Sequence, residues 1–379
     1  VKVACSVMKK GNLDLIKKMN RTLVLETIRR DQPISRASIS KKLGLSRSTV
    51  TLVVNELLEK KFVFELGLGD STVGGGRKGM KLGFNPKSGY GVGVDIGRSN
   101  IIIIITDMDS DIVFKEIYPS TNNVETIANY ISTSMSKSGV DTKRIFGIGI
   151  GVPGLVNTRS GEIIELSALG WKNFNLLEQI QPYFKYPIFV NNDVNCAALG
   201  ERWVDKTDNM IFIAIGSGIG SAIIANGDLV EGHHFSAGEI NLFIDREDIK
   251  HGKENNSESI GVFEQQVSGL AFEKLGYSAE FVLSNYKKGQ KEIDQIIDQF
   301  VNYLSITLAN MTSFLNPEKI VIGGGVSKSL NVVIEDIKQK VASFTNIPVE
   351  IELACLGSDA GALGAIAYAF DKIQNEDFM

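Results

Sequence analysis

Apolar residues near the start of the chain recur at helical spacing, in three short stretches. Leu23, Val24, Thr27 and Ile28 form one stripe, with Asn20 placed to cap the helix and Asp31-Gln32-Pro33 placed to break it. Ser35 is positioned to cap a second, short helix whose inward residues are Ala37 or Ser38, Ile39 and Leu43. Gly44 makes the turn, with Leu45 packing beneath it. Ser46 caps a third helix, in which Val50, Val53, Val54, Leu57 and Leu58 bury one side. The other side presents Arg47, Ser48, Thr49, Thr51 and Asn55, hydrogen-bonding residues near a helix N-terminus. Phe62–Leu66 and Met80–Phe84 then read as two strands around a Gly-rich stretch, Gly67–Gly79. The pattern predicts a helix-turn-helix followed by a hairpin wing. The end of the third helix that carries Arg47 would enter the major groove of DNA, and Arg77 and Lys78 on the wing would reach a phosphate or the minor groove.

From Gly89 the period changes. Apolar strands separated by glycines alternate with amphipathic helices, the texture of an α/β fold. Gly91–Asp95 leads to the tight turn at Gly97, and a second strand follows at Ile101–Ile105. Phe146–Gly154 is a further buried strand ending in a turn, and Phe189–Asp193 is a strand whose end delivers an amide and a carboxylate, ahead of a helix over Cys196–Arg202. Ile211–Ile215 runs into Gly216-Ser217-Gly218-Ile219-Gly220, and Lys319–Ile322 runs into Gly323-Gly324-Gly325. Gly-rich turns at successive strand ends converge on a cleft, where α/β proteins bind ligands.

Composition narrows the class. The chain has 379 residues, 43% hydrophobic and 22% charged, enough for two or three domains. No apolar run is of membrane-spanning length, and no signal-peptide pattern is visible at the N-terminus. Cys5, Cys196 and Cys355 have no paired spacing, which argues against a disulfide framework and for a reducing, cytoplasmic setting. The net charge of −4 is unevenly divided: 17 Lys and Arg stand against 7 Asp and Glu up to Asn85, leaving the remainder at −14. A basic head on an acidic body fits a chain of which only the head meets a polyanion.

The motifs taken together resemble the ROK family of repressors, open reading frames and kinases. The resemblance spans about residues 12–370 and rests on Asp95-Ile-Gly97, Gly149–Gly154, Asn192-Asp193 through Glu201, Gly216–Gly220, Ala237-Gly-Glu239-Ile240 and Ile322–Ser327, the last preceded by Asn316-Pro317. It implies an actin-like, two-lobed sugar-kinase fold behind the winged helix, with domains at 1–85, at 86–205 joined by 357–379, and at 206–356. It further implies that Asp193 stands where the family places the base for a sugar hydroxyl. Asn192, Asp193, Glu239 and Glu264 would bind the sugar, and Asp95, Gly97, Gly216, Ser217, Gly218, Gly323 and Gly324 would form the nucleotide-type phosphate loops.

Two departures alter what is expected. Family kinases continue Asp-Ile-Gly with Gly and Thr, which make room for ATP phosphates; this chain has Arg98 and Ser99. The family's cysteine-rich zinc knot is absent, since no cysteine lies between Cys196 and Cys355, and Asn241-Leu242 replaces the usual Gly-His. His233, His234 and His251 lack the spacing of substitute ligands, so no metal is expected. ATP and Mg²⁺ belong to the site only if kinase activity is retained. The expected protein is a sugar-responsive repressor that binds operator DNA and a monosaccharide as a homodimer. The alternatives are an ATP-dependent sugar kinase with an appended DNA-binding domain and a sugar-binding scaffold without a DNA target.

Overall fold

The computed structural model describes residues 13–68, 79–166, 169–244, 246–250, 252, 261–273 and 276–375. The expected DNA contacts Arg77 and Lys78, and His251, lie outside these residues. The chain divides into two compact units, one up to Gly89 together with Asp107–Asp109 and the other comprising the rest.

The first unit contains α1 (Leu13–Asp31), β1 (Ile34–Ser35), α2 (Arg36–Leu43), α3 (Arg47–Glu59), β2 (Val63–Leu68) and β3 (Met80–Phe84). Its small antiparallel sheet has the order β1-β3-β2. Ser35 accepts from the Ser38 N–H and Ser46 from the Thr49 N–H, so both expected caps are present, and Gly44 (φ 67°) closes α2 in the left-handed region. Val50, Val53, Val54 and Leu57 are buried against Val24, Ile28 and Ile39 in this unit's core.

Three details differ from the sequence expectation. Asn20 does not cap α1 but lies inside it, because Lys17, Lys18 and Met19 before it are good helix formers and one Asn costs a helix only a few tenths of a kcal/mol. Leu23 is exposed while Leu25 is buried, so the stripe is rotated by part of a turn. Ala37 and Ser38 both face solvent, and Ile39 alone anchors α2.

The second unit opens with β4 (Tyr90–Ile96), β5 (Asn100–Asp107), β6 (Ile112–Pro119), α4 (Val124–Ser138) and β7 (Ile145–Val152). A small hairpin layer follows in β8 (Leu155–Asn157), β9 (Glu162–Leu166) and β10 (Trp171–Asn175), then α5 (Leu176–Ile180), β11 (Ile188–Asn192) and α6 (Asp193–Asp205). The first large sheet has the order β11-β7-β4-β5-β6, parallel from β11 to β4 and antiparallel between β5 and β6. Both faces of β5 are covered, which is why its five consecutive isoleucines carry no polar alternation. Ile101, Ile103 and Ile105 enter the main core of this lobe, whereas Ile102 and Ile104 meet the helix that ends the fold.

The second lobe contains β12 (Met210–Ile215), β13 (Ile219–Ala225), β14 (Asp228–Leu229), α7 (Arg246–Lys250), α8 (Glu264–Val267), α9 (Gly269–Glu273), α10 (Ala279–Ser284) and α11 (Lys291–Leu315). It is completed by β15 (Lys319–Gly323), α12 (Ile334–Phe344) and β16 (Glu350–Leu353). Its sheet has the order β14-β13-β12-β15-β16, with β12, β15 and β16 parallel. The inner face of α11 supplies Ile293, Ile297, Phe300, Leu304 and Leu308 to the core. The final helix, α13 (Ala360–Asn375), returns to the first sheet and packs closely along α6. A Cβ on Gly364 would overlap the Cys196 carbonyl of α6, so glycine is required for this approach.

Candidate functional site

Parallel strands deliver side chains where they end. Asp95 lies near the end of β4, and Asn191 and Asn192 end β11, two places away in the same sheet. Asp193 does not end the strand, as the sequence suggested; it is the first residue of α6, with Asn192 as the cap. Asn192 Oδ1 accepts from the Asn195 N–H at 3.0 Å and its Nδ2 donates to the Gly154 carbonyl at 3.0 Å. One side chain thus fixes both the helix start and the turn after β7. The Asp193 carboxylate accepts from the Val194 N–H at 2.9 Å.

Four carboxyl groups and one guanidinium influence one another here. Burial and the neighbouring Asp193 push Asp95 up to about 7. Burial raises Asp193 as well, against the pull of its backbone hydrogen bonds. Glu239, which precedes the short helical turn Ile240–Leu242, is raised by burial and then by Asp193 and Glu264. Glu264, the first residue of α8, accepts from the Ile219 N–H at 3.1 Å; burial raises its pKa while that bond and Arg98 draw it down. Asp193, Glu239 and Glu264 thereby come together from the two lobes. Several partly desolvated acceptors in a cleft are the chemistry that holds the hydroxyl groups of a polyol, since each O–H donor relieves an unsatisfied carboxylate.

Two of the expected phosphate-loop residues, Gly97 and Gly216, and their neighbours Ile219 and Val326 have amides already bonded within the protein. Gly216 N–H donates to the Gly218 carbonyl at 2.8 Å, Gly97 N–H to the Asn100 carbonyl at 2.9 Å and Val326 N–H to the Ile215 carbonyl at 3.0 Å. With the Ile219 N–H held by Glu264, four amide donors around these turns are committed to the protein. Arg98 and Ser99 are exposed at the turn after β4. Gly323 closes β15, and Gly324 (φ 90°) turns the chain directly behind it. Among the described residues no group of three or more His, Cys, Asp and Glu is arranged to hold a metal ion. His233 and His234 are exposed and lie edge to face against each other.

Some contributors had no signal in the sequence. Asn191 is fully buried, and its Oδ1 accepts from the Asn192 N–H at 2.8 Å and from Asn195 Nδ2 at 3.1 Å. Cys196 sits buried beside Asp95 and Asp193, which together with burial hold its thiol protonated. Across the cleft, Thr158 Oγ1 donates to Glu231 Oε1 at 2.9 Å, with the buried Tyr368 hydroxyl at 3.5 Å from the same oxygen. That pair ties the turn after β8 to the segment following β14. Only the unusual run of two Asn before an Asp hinted at any of this.

In the first unit, the expected DNA-facing residues lie on the outer side of α3. Arg47, Ser48, Thr51 and Asn55 are exposed and Thr49 is half-buried. Thr51 Oγ1 is bonded to the Arg47 carbonyl, Ser48 and Thr49 share the Ser46 hydroxyl, and Asn55 Oδ1 lies 3.4 Å from Arg36 Nη2. The Arg47 side chain makes no hydrogen bond or ion pair with the described residues, which leaves its full donor set for a partner. Leu52 is also solvent-facing on this helix, 66% exposed despite its apolar side chain.

Comparison with known proteins extends the geometry. Residues 91–372 match the model of the ROK family, and residues 20–63 match a winged helix-turn-helix DNA-binding model. Over 379 aligned positions, covering 94% of this chain and 96% of the relative, the chain is 30% identical to the xylose repressor of Bacillus subtilis. It is 32% identical to a glucokinase of Halalkalibacterium halodurans over 305 positions, 72% of this chain and 92% of that enzyme. The crystal structure of a ROK family transcriptional regulator, a homologue of the E. coli MLC protein, superposes with a TM-score of 0.79 at 22% identity, covering 95% of this chain and all of the other.

Proposed function

The chain belongs to the ROK family, and from that premise we propose that it is a sugar-responsive transcriptional repressor. One observation carries this reading: a single chain joins a capped recognition helix to a cleft lined by hydroxyl-binding carboxylates. In this reading Arg47, with Ser48, Thr49, Thr51 and Asn55 around it, reads base edges in the major groove, and Arg77 and Lys78 contact the backbone or minor groove. Asn192, Asp193, Glu239 and Glu264 hold a monosaccharide. The sugar favours the conformer that binds operator poorly, so that operator and sugar weaken each other equally.

The protein works in the cytoplasm on carbohydrate-utilisation genes and binds as a dimer. It uses no resident metal, because the thiolates of the family's zinc site are missing from this chain. Among the described residues no helix is long and apolar enough to cross a membrane. The test is fluorescence anisotropy of the full chain on the DNA upstream of its own gene, with and without each of a panel of monosaccharides. Tight binding relieved by one sugar supports the proposal. Absence of any sequence-dependent binding contradicts it.

The second reading, a sugar kinase with an appended DNA-binding domain, draws on the retained Asp193 and on the similarity to a glucokinase. Two features weigh against it. Arg98 stands in the turn where ATP phosphates would need room, and the amide donors at Gly97, Gly216, Ile219 and Val326 are already committed.

A further inference from the structure

We propose that Leu52 helps to select the operator by packing on the 5-methyl group of a thymine in the major groove, an inference that rests on α3 being the DNA-reading helix. Leu52 is a large apolar side chain left 66% exposed on a helix whose Val50, Val53, Val54 and Leu57 are all buried. The helical period puts it there. Ser48, Leu52 and Asn55 fall at i, i+4 and i+7, one line along the face opposite that core, and all three are exposed. Its neighbours on the helix surface, Ser48, Thr51, Asn55 and Glu56, are polar. On α3 Leu52 therefore belongs to no apolar stripe of the kind that a protein partner covers.

Charge along α3 shows which part of the helix can lie deep in a groove. Arg47 opens it and no acid stands in the first turn, so the positive end of the helix and a cation meet the polyanion together. The acids come in the last turn, as Glu56 and Glu59. Glu56 is held within the protein by Arg21 at 2.9 Å and by Lys60 at 3.3 Å. Carboxylates are repelled by phosphates, which leaves the stretch from Arg47 to Asn55 for the groove. Leu52 lies inside that stretch, about 7.5 Å along the axis from Arg47, the length of roughly two base-pair steps.

The chemistry of the side chain limits what it can recognise. Leucine neither donates nor accepts a hydrogen bond. Guanine, adenine and cytosine present donors and acceptors along the major-groove edge, and a leucine laid over them buries polar groups without partners. Thymine adds an apolar group, its C5-methyl, beside the O4 acceptor. The hydroxyls around Leu52 have partners of their own: Thr51 Oγ1 donates to the Arg47 carbonyl at 2.8 Å, and Ser48 and Thr49 share the Ser46 hydroxyl. Arg47 then supplies the polar contact, for which guanine is the commonest partner, and Leu52 the apolar one.

Anisotropy titrations of the full chain test this on a duplex of the DNA upstream of its own gene, with each thymine replaced in turn by deoxyuridine, which lacks the methyl group. One thymine per half-site is expected to matter, its replacement weakening wild-type binding about fourfold, the value of one buried methyl group. Leu52→Ala should bind the unsubstituted duplex at least about fourfold more weakly and lose less than about twofold on that replacement, because the methyl has lost its partner. Leu52→Met, apolar and of similar volume, should keep the preference. Exchanging that T·A pair for C·G should weaken wild-type binding, and 5-methylcytosine at the same place should restore part of the loss. Sequence-dependent binding that no deoxyuridine alters, or a Leu52→Ala variant as sensitive to the replacement as wild type, overturns the thymine contact and leaves α3 as the reading helix. Equal affinity for operator and scrambled duplexes overturns both.

Discussion

The Asp193 carboxyl group raises the pKa of Asp95, so the end of β4 and the start of α6, which follows β11 in the same sheet without a loop, place two interacting acids on the same cleft floor. Burial is the larger cause and the mutual repulsion the smaller. The pair is electrostatically strained at neutral pH.

That strain gives stability a pH dependence of known sign. Asp95 titrates near 7 when folded and near 3.8 when free of the fold, so between those values the folded state holds the extra proton. The contribution of Asp95 to stability is highest below about pH 4, falls as pH rises towards 7 and is flat above, a direction shared by the raised Asp193, Glu239 and Glu264 and opposed by the lowered Asp31, Glu116 and Asp205. Asp95→Asn, neutral throughout, should be more stable than wild type at pH 8 by about 2 kcal/mol, discounted for the partial exposure of Asp95, and equal to it near pH 4. Thermal melts across the pH range check this; a difference that does not vary with pH would count against it.

Sugar binding has its own signature. Asp193→Asn and Glu239→Ala should each weaken it by about 1.5–3 kcal/mol, the contribution of a hydrogen bond to a charged acceptor. Acidification should also weaken it, since protonation removes acceptor capacity from carboxyls whose pKa values are already raised. Calorimetry at several pH values reports both effects, and unchanged affinity in the two variants would remove these residues from the site.

On DNA, Arg47→Ala should relax sequence preference at one operator position at a cost of about 1–3 kcal/mol. Arg77→Ala should lower affinity for all sequences and reduce the salt dependence by about one counterion. Anisotropy titrations against operator and scrambled duplexes at several salt concentrations separate the two. Equal loss on both duplexes in Arg47→Ala would show that α3 is not the reading helix.

Phosphoryl transfer is expected to fall well below the ordinary kinase range of about 1–100 s⁻¹. A coupled assay with ATP, Mg²⁺ and the sugar identified by thermal shift measures it. Turnover within that range would promote the kinase reading.

The caps at Ser35 and Ser46, the glycine turn at Gly44 and the buried stripe of α3 were legible because each is set by residues a few positions apart. The all-apolar run of β5 was legible as a buried strand for the same reason, although what covers its two faces was not. Asn20 misled because capping preference is a local bias that neighbouring helix formers override. Asp193 was placed one element too early, since a strand end and a helix start abut at Asn192 without a loop between them. Glu264 follows a long segment without pattern, and its hydrogen bond to Ile219 spans 45 positions. Phe314 and Ile306 face solvent on a helix most of whose large apolar residues turn inward, and only the packed structure shows which way they face.

The contact between α6 and α13 has a mechanical consequence. With Gly364 against the Cys196 carbonyl and Gly200 against that of Ala360, there is no side-chain cushion between the helices, and α6 responds to force as a stiff rod. Thirteen residues make that rod about 20 Å long, with Asp193 at one tip and Asp205 at the other. A tilt of about 6° around its middle moves each tip by about 1 Å, comparable to the play in a hydrogen bond. A displacement imposed at Asp193 would therefore be felt at Asp205, whose ion pair with Lys319 (2.9 Å) joins this helix to the second sheet. A methyl group at Gly364 would wedge the joint. Gly364→Ala should cost about 3 kcal/mol by overpacking, and any folded fraction should show binding at one end without movement at the other.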